Sequence, residues 1–98
     1  MNMQALMQQA QKMQKDMLKA KEEIDNTTFE GNSSFVKVEV MGNKKIRKII
    51  IDRESIAEEE KELLEDMLVV AINDAMNQID KVTEEKMGKY TKGMPGLF

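Results

Sequence analysis

The stretch FVKVEVMGNKKIRKIIID occupies residues 35–52. Val36, Val38 and Val40 alternate with Phe35, Lys37 and Glu39, the period of a half-buried strand. MGNKK follows, and Gly42-Asn43 tolerates the positive φ of a hairpin turn. IRKIIID then supplies a return strand. In a regular return strand Ile49 and Ile51 face one side, and Ile46 and Ile50 the other. Residues 27–31 read as a preceding strand, which makes a three-stranded meander over about 27–52. Apolar residues on both faces of so small a sheet predict cover on both faces.

Upstream, residues 3–25 read as one helix. Met3, Leu6, Ala10, Met13, Met17, Ala20 and Ile24 are spaced alternately three and four apart, an uninterrupted heptad seam. The helix closes by about residue 26 in DNTT, whose Asn and Thr residues favour turns and strands. Downstream, SIAE offers a capping box from Ser55 to Glu58, opening a helical segment over 55–88 with its regular part from about 58 to 87. Leu64, Leu68, Ala71, Ala75, Ile79 and Val82 form its stripe. Leu63, Met67, Val70 and Ile72 widen it, so its first half is expected to be the more deeply buried. Gly88 is placed to break or end the helix. Residues 89–98 are then expected to be a mobile tail, because GKYTKGMPGLF carries three glycines and the only proline.

These elements make an α+β chain: a long N-terminal helix, a three-stranded antiparallel sheet and a long C-terminal helix. At 98 residues one domain is expected. A chain of this size buries only about two-thirds of its unfolded surface, so a lone core is marginal. A six-residue strand covers about 20 Å, whereas a 23-residue helix reaches about 35 Å. Both helices therefore overhang the sheet. The seam of the first is expected to meet the C-terminal half of the second as an antiparallel arm, and a second copy of the chain to complete the body.

Composition narrows the chemistry. The chain has no cysteine and no histidine, so thiolate catalysis, zinc–sulfur sites and histidine general bases are absent. The serines at 33, 34 and 55 have no histidine to activate them. The carboxylates of 58–66 read as a solvated helix face rather than a catalytic or metal site. MGNKK lacks the second glycine and following helix of a phosphate loop. No enzyme, metal site or small-molecule substrate is expected. No apolar run approaches a membrane span, and no basic region precedes an apolar core at the N-terminus, so a cytoplasmic location is expected. The Asn26 and Asn32 sequons carry no meaning there.

The net charge of −3 conceals an asymmetry. Residues 27–53 carry +3 and 54–80 carry −8, while 81–98 carry +2 and 1–26 are neutral. A polyanion partner must meet a local basic surface while the acidic segment is turned away. With Met3 as heptad position a, Gln4, Gln8, Gln11, Lys12, Lys15 and Lys19 fall opposite the seam. Lys12, Lys15 and Lys19 are spaced three and four apart and line one strip, suited to lie along a phosphate backbone. The competing reading is an ordinary solvated face. Lys81, Lys86, Lys89 and Lys92 form a second lysine group, brought near the start of the first helix if the helices run antiparallel. The ten methionines also have two readings, as packing or as an adaptable surface for protein partners.

MQQAQKMQKDMLKAKEEI, FEGNSSFVKVEVMGNKKIRKIIID, LLEDMLVVAINDAMNQIDKVTEEKMGKYT and the closing GMPGLF together resemble the YbaB/EbfC family of bacterial nucleoid-associated proteins. The resemblance covers almost the whole chain. It implies a tweezer-like homodimer whose helical prongs contact duplex DNA, in the nucleoid, without catalysis or cofactor. It places Gln8, Gln11, Lys12, Lys15 and Lys19 on the first prong helix and Lys81, Lys86 and Lys89 on the C-terminal one. The chain departs from the family's usual glycine-rich segment at EGNSSF, and carries Lys92 where a glycine often stands. Such a protein would organise the chromosome or regulate genes with little base readout, since Arg47 and Arg53 both belong to the sheet region. The alternative is an interaction module whose methionine-rich arms clasp a partner protein.

Overall fold

The computed structural model describes residues 2–91. Its elements run α1 (Met3–Asp25), β1 (Thr28–Ser33), β2 (Val36–Met41), β3 (Ile46–Ile51), a 3₁₀ turn (Glu58–Glu60) and α2 (Lys61–Thr91). The strands form one antiparallel sheet in the order β1-β2-β3. The fold is the expected α+β arrangement. Its radius of gyration is 19.3 Å and its extents are 70 × 19 × 14 Å. A compact chain of this length would have a radius near 13 Å, so the helices project well beyond the sheet.

Both ends of α1 are closed by side chains. The Asn2 carboxamide oxygen accepts from the Ala5 amide at 2.7 Å. At the other end the Asn26 side-chain amide donates to the Glu22 carbonyl at 3.0 Å, and the Thr27 hydroxyl donates to the Glu23 carbonyl at 2.6 Å. DNTT thus ends the helix by occupying its last carbonyls.

The start of α2 differs from expectation. Ser55 does not cap it. Instead the Glu60 carboxylate accepts from the Ala57 amide at 3.2 Å and from Arg53 at 2.9 Å, so the acid comes two residues later than SIAE suggests. The end differs too. Gly88 lies inside the helix, which continues to Thr91, and residues 89–91 are therefore helical. One glycine costs a helix only about 1 kcal/mol, and Met87 and Tyr90 on either side are buried against α1. The expectation of a mobile tail concerns residues that, past 91, lie outside those described.

Two cores are strung along α2. In the first, Phe29, Val36, Val38 and Val40 pack on Met67, Ala71, Ala75 and Ile79. Contact between β1 and α2 is so close that a Cβ at Gly31 would lie 1.9 Å from the Ala71 carbonyl oxygen. In the second, Met17 and Ile24 of α1 pack on Met87 and Tyr90. Ile24 lies near Ile79 and Thr83, whereas Met13 lies near Tyr90, so the two helices run antiparallel as expected.

The sheet corrects two expectations. A bulge between Glu39 and Val40 pairs Val40 with Ile46, leaving Arg47 as the extra residue. The added residue reverses the alternation, so Ile46 joins Ile49 and Ile51 on the face of the valines rather than opposing them. The other face is mainly polar. There Lys37 pairs with Glu30 at 3.6 Å and Arg47 with Glu39 at 2.6 Å. Only one face of the sheet therefore needs cover. The hairpin turn also departs from the glycine reading: the left-handed residue is Lys44, with φ 69°, not Gly42-Asn43. Gly42 is required for a different reason, since a Cβ there would lie 1.8 Å from the Ile24 carbonyl oxygen.

Cover on the valine face stops short of β3. Asp74 accepts from the Asn32 amide at 3.1 Å and Gln78 donates to the Glu30 carbonyl at 2.9 Å, which fixes one flank of α2 over β1. The opposite flank, with Leu68 and Ile72, is turned toward β3. Ile46, Ile49 and Ile51 remain 47%, 44% and 38% exposed. Nor is the first half of α2 the more buried in a single chain, for Leu63 and Val70 are exposed.

Candidate nucleic-acid interface

The arm is built by antiparallel packing of α1 on the last turns of α2. Met17 and Ile24 turn inward and the heptad then places Lys12, Lys15 and Lys19 outward. All three are exposed, as are Gln8 and Gln11. Lys81, Lys86 and Lys89 are exposed on α2. Among the described residues, none of these six lysines has a carboxylate within ion-pairing distance. By contrast, Lys21 is held by Asp25 at 3.2 Å and Lys44 by Asp80 at 3.0 Å. The six ammonium groups are thus available to an anion.

The structure brings some of these residues together and separates others. Lys12 and Lys89 line one open groove, with Gln9, Met13, Asp16 and Tyr90. The Lys89 ammonium sits 5.0 Å from the centroid of the Tyr90 ring, which is buried in the arm. Lys15 points away from the seam. Lys19 shares a shallow depression with Glu22, Glu23, Asn26 and Thr27, a less cationic setting. Lys81 lies nearer the sheet than Lys86 and Lys89. Gln8 lies beyond the part of α1 that faces Tyr90.

The sequence alone singles out neither Tyr90 nor Gln9. Reading Gly88 as a helix end places Tyr90 in a tail. The signal that finds it is the spacing of Ile79, Val82, Met87 and Tyr90, which continues the apolar stripe through the glycine.

The two charged regions are far apart. Glu58, Glu59, Glu60, Glu62, Glu65 and Asp66 cluster at the start of α2. At about 1.5 Å per residue, Glu65 and Lys89 are separated by roughly 36 Å along the helix. The screening length at physiological salt is about 8 Å. The acidic end therefore leaves the potential around the arm lysines nearly unaltered. Among the described residues, no cluster of acids is arranged to hold a metal ion, and no helix is long and apolar enough to cross a membrane.

The family model described as the YbaB/EbfC DNA-binding family matches residues 1–94. A nucleoid-associated protein of Lactococcus lactis subsp. cremoris strain MG1363 is 50% identical over 97 residues, covering 97% of this chain and 98% of that protein. Nucleoid-associated proteins of Ligilactobacillus salivarius strain UCC118 and Enterococcus faecalis strain ATCC 700802 / V583 are 44% and 41% identical. The first alignment spans 99% of this chain and 95% of the relative, the second 98% and 94%. A match of this extent, on a fold whose arm carries unpaired lysines, identifies the chain as a member of the YbaB/EbfC DNA-binding family.

Proposed function

We propose that this protein is a nucleoid-associated DNA-binding protein, acting in the bacterial cytoplasm on the nucleoid to organise the chromosome or modulate its genes. It works as a homodimer and performs no catalysis. Each copy holds duplex DNA through phosphate contacts from its arm, with Lys12, Lys15 and Lys19 on α1 and Lys81, Lys86 and Lys89 on α2. Gln8 and Gln11 add hydrogen bonds. The observation that carries the reading is the arm itself: exposed lysines without acidic partners on a projecting helix pair, with the acidic cluster at the far end of α2. Family membership and the names of the relatives support it.

Lysine reads charge rather than base identity, so binding should vary little with sequence. The proposed dimer joins through Ile46, Ile49 and Ile51 with the adjoining flank of α2, an apolar surface that a second copy would cover. Gel shifts with purified protein and unrelated duplexes across a salt series test the function. Binding that weakens steeply with salt and little with sequence supports it. No binding at low salt overturns it in favour of a protein partner, for which exposed Met3 and Met7 would be the contact.

A further inference from the structure

All the sulfur in this chain is methionine sulfur, ten thioethers against no cysteine. These sulfurs differ in how solvent reaches them. Met17, Met67 and Met87 are 8%, 9% and 2% exposed. The Met41 Sδ accepts from the Thr28 hydroxyl at 3.4 Å. By contrast Met3, Met7 and Met13, all in the N-terminal half of α1, are 75%, 58% and 42% exposed. Met3 and Met7 stand within residues 3–11, which carry no charged side chain. Met13 instead shares a groove with Lys12 and Lys89.

We propose that Met13 is an oxidation site whose sulfoxide closes the Lys12–Lys89 groove to phosphate. The oxidant is a peroxide. The Sδ lone pair attacks one peroxide oxygen, and the S–O bond forms as the O–O bond breaks. The second oxygen leaves as water, taking the proton of the first. Sulfur is oxidised and the peroxide is reduced. A thioether is only a weak acceptor, whereas each lysine ammonium offers three donors. Oxidation makes the side chain polar and sets an acceptor oxygen in the groove wall. Asp16 lies in the same wall, but among the described residues it pairs with neither lysine. The sulfoxide oxygen is tethered beside them, at an effective concentration in the millimolar range.

No charge changes in this step, so the arm keeps its attraction for a polyanion and loses a contact point. The packing of Met17, Ile24, Met87 and Tyr90 does not include Met13, so the arm stays folded. The modification is also reversible, because sulfoxide reductases return methionine. The phosphate half of the inference rests on the proposed DNA contact. The oxidation and the bond to lysine do not.

The test uses the full chain and limited hydrogen peroxide. Peptide mass spectrometry should find Met3, Met7 and Met13 oxidised well before Met17, Met67 and Met87. In NMR spectra taken without DNA, oxidation should move the Cε methylene resonances of Lys12 and Lys89 and the Tyr90 ring. In Met13→Leu the same treatment should leave them in place. Gel shifts should show the oxidised protein binding duplex DNA severalfold more weakly. Its log–log salt slope should be shallower by up to about two units for the proposed dimer, at about 0.9 per contact. Each variant is compared with its own unoxidised form: Met13→Leu should lose nothing, and Met3→Leu with Met7→Leu should lose as much as the parent. A Met13 that resists peroxide as Met17 does would overturn the inference. So would lysine resonances unmoved by its sulfoxide, or an equal loss of DNA binding in Met13→Leu. An unoxidised parent that binds no DNA would instead remove the proposed function and the phosphate half with it, while the spectra still decide the rest.

Discussion

Lys12 on α1 and Lys89 on α2, 77 positions apart in sequence, line the same groove, with Tyr90 in its wall. Two cations from different helices face one space that neither helix forms alone. A phosphate seated there would be shared, and sharing has a measurable signature. Replacing Lys12 by Gln and replacing Lys89 by Gln should each make the DNA-binding salt dependence shallower by up to about two units for the proposed dimer, at about 0.9 per contact. The double variant should lose less than the sum of the two. Strictly additive losses in a double-mutant cycle would mean that the lysines hold separate phosphates.

The strip along α1 sets the larger effect. Lys12, Lys15 and Lys19 changed together to Gln keep helix propensity nearly intact and leave the seam alone. The proposed dimer presents the strip twice. The log–log salt slope should become shallower by up to about five units, at about 0.9 per contact. Affinity should fall by similar factors on unrelated duplexes. Lys15→Gln alone should give about a third of this. Changing Lys44 and Lys45 instead should matter less, since Lys44 is already paired with Asp80 at 3.0 Å. A dominant hairpin pair and a silent helix triple would move the DNA surface to the sheet side.

Seam methionines should differ sharply in stability. Met17 is 8% exposed and Met13 42%. Met17→Asp buries an unpaired carboxylate and should cost several kcal/mol, in the range of severe core lesions. Met13→Asp should cost much less. Thermal melts of the two variants beside the parent decide this, and equal losses would mean that Met13 is buried in solution by something beyond the described residues.

Assembly can be probed at β3. Ile49→Lys places a charge on the half-exposed face opposite Val38 without entering the buried core. Light scattering should report a dimer of the 11.3 kDa chain for the parent and a shift toward monomer for the variant. A parent that stays monomeric at micromolar concentration would remove the dimer from the proposed function.

Gly31→Ala should be more damaging than its size suggests. The added methyl would lie 1.9 Å from the Ala71 carbonyl oxygen and 2.8 Å from the Ala75 nitrogen, both backbone atoms that cannot turn aside. Overpacking of this kind costs about 1–3 kcal/mol. Denaturant titration should show a lower midpoint, with helix content largely retained in the folded baseline.

Local pattern alone determined much of this protein. Heptad spacing located α1 from Met3 to Asp25 because one uninterrupted apolar stripe and a capping segment suffice to mark a helix. Alternation located β2, the turn after it marked β3 as the return strand, and the order of elements set the α+β class. The lysine strip was legible too, since residues three and four apart share a helix face whatever lies opposite. Three things waited for tertiary structure. The Arg47 bulge changed which isoleucines share a face, because register depends on the partner strand and not on the strand's own sequence. Packing of Met87 and Tyr90 on α1 carried α2 through Gly88, overriding a weak local preference. The pairing of Lys12 with Lys89 across one groove arose only when the helices ran antiparallel, because a site shared by two elements has no sequence spacing to reveal it.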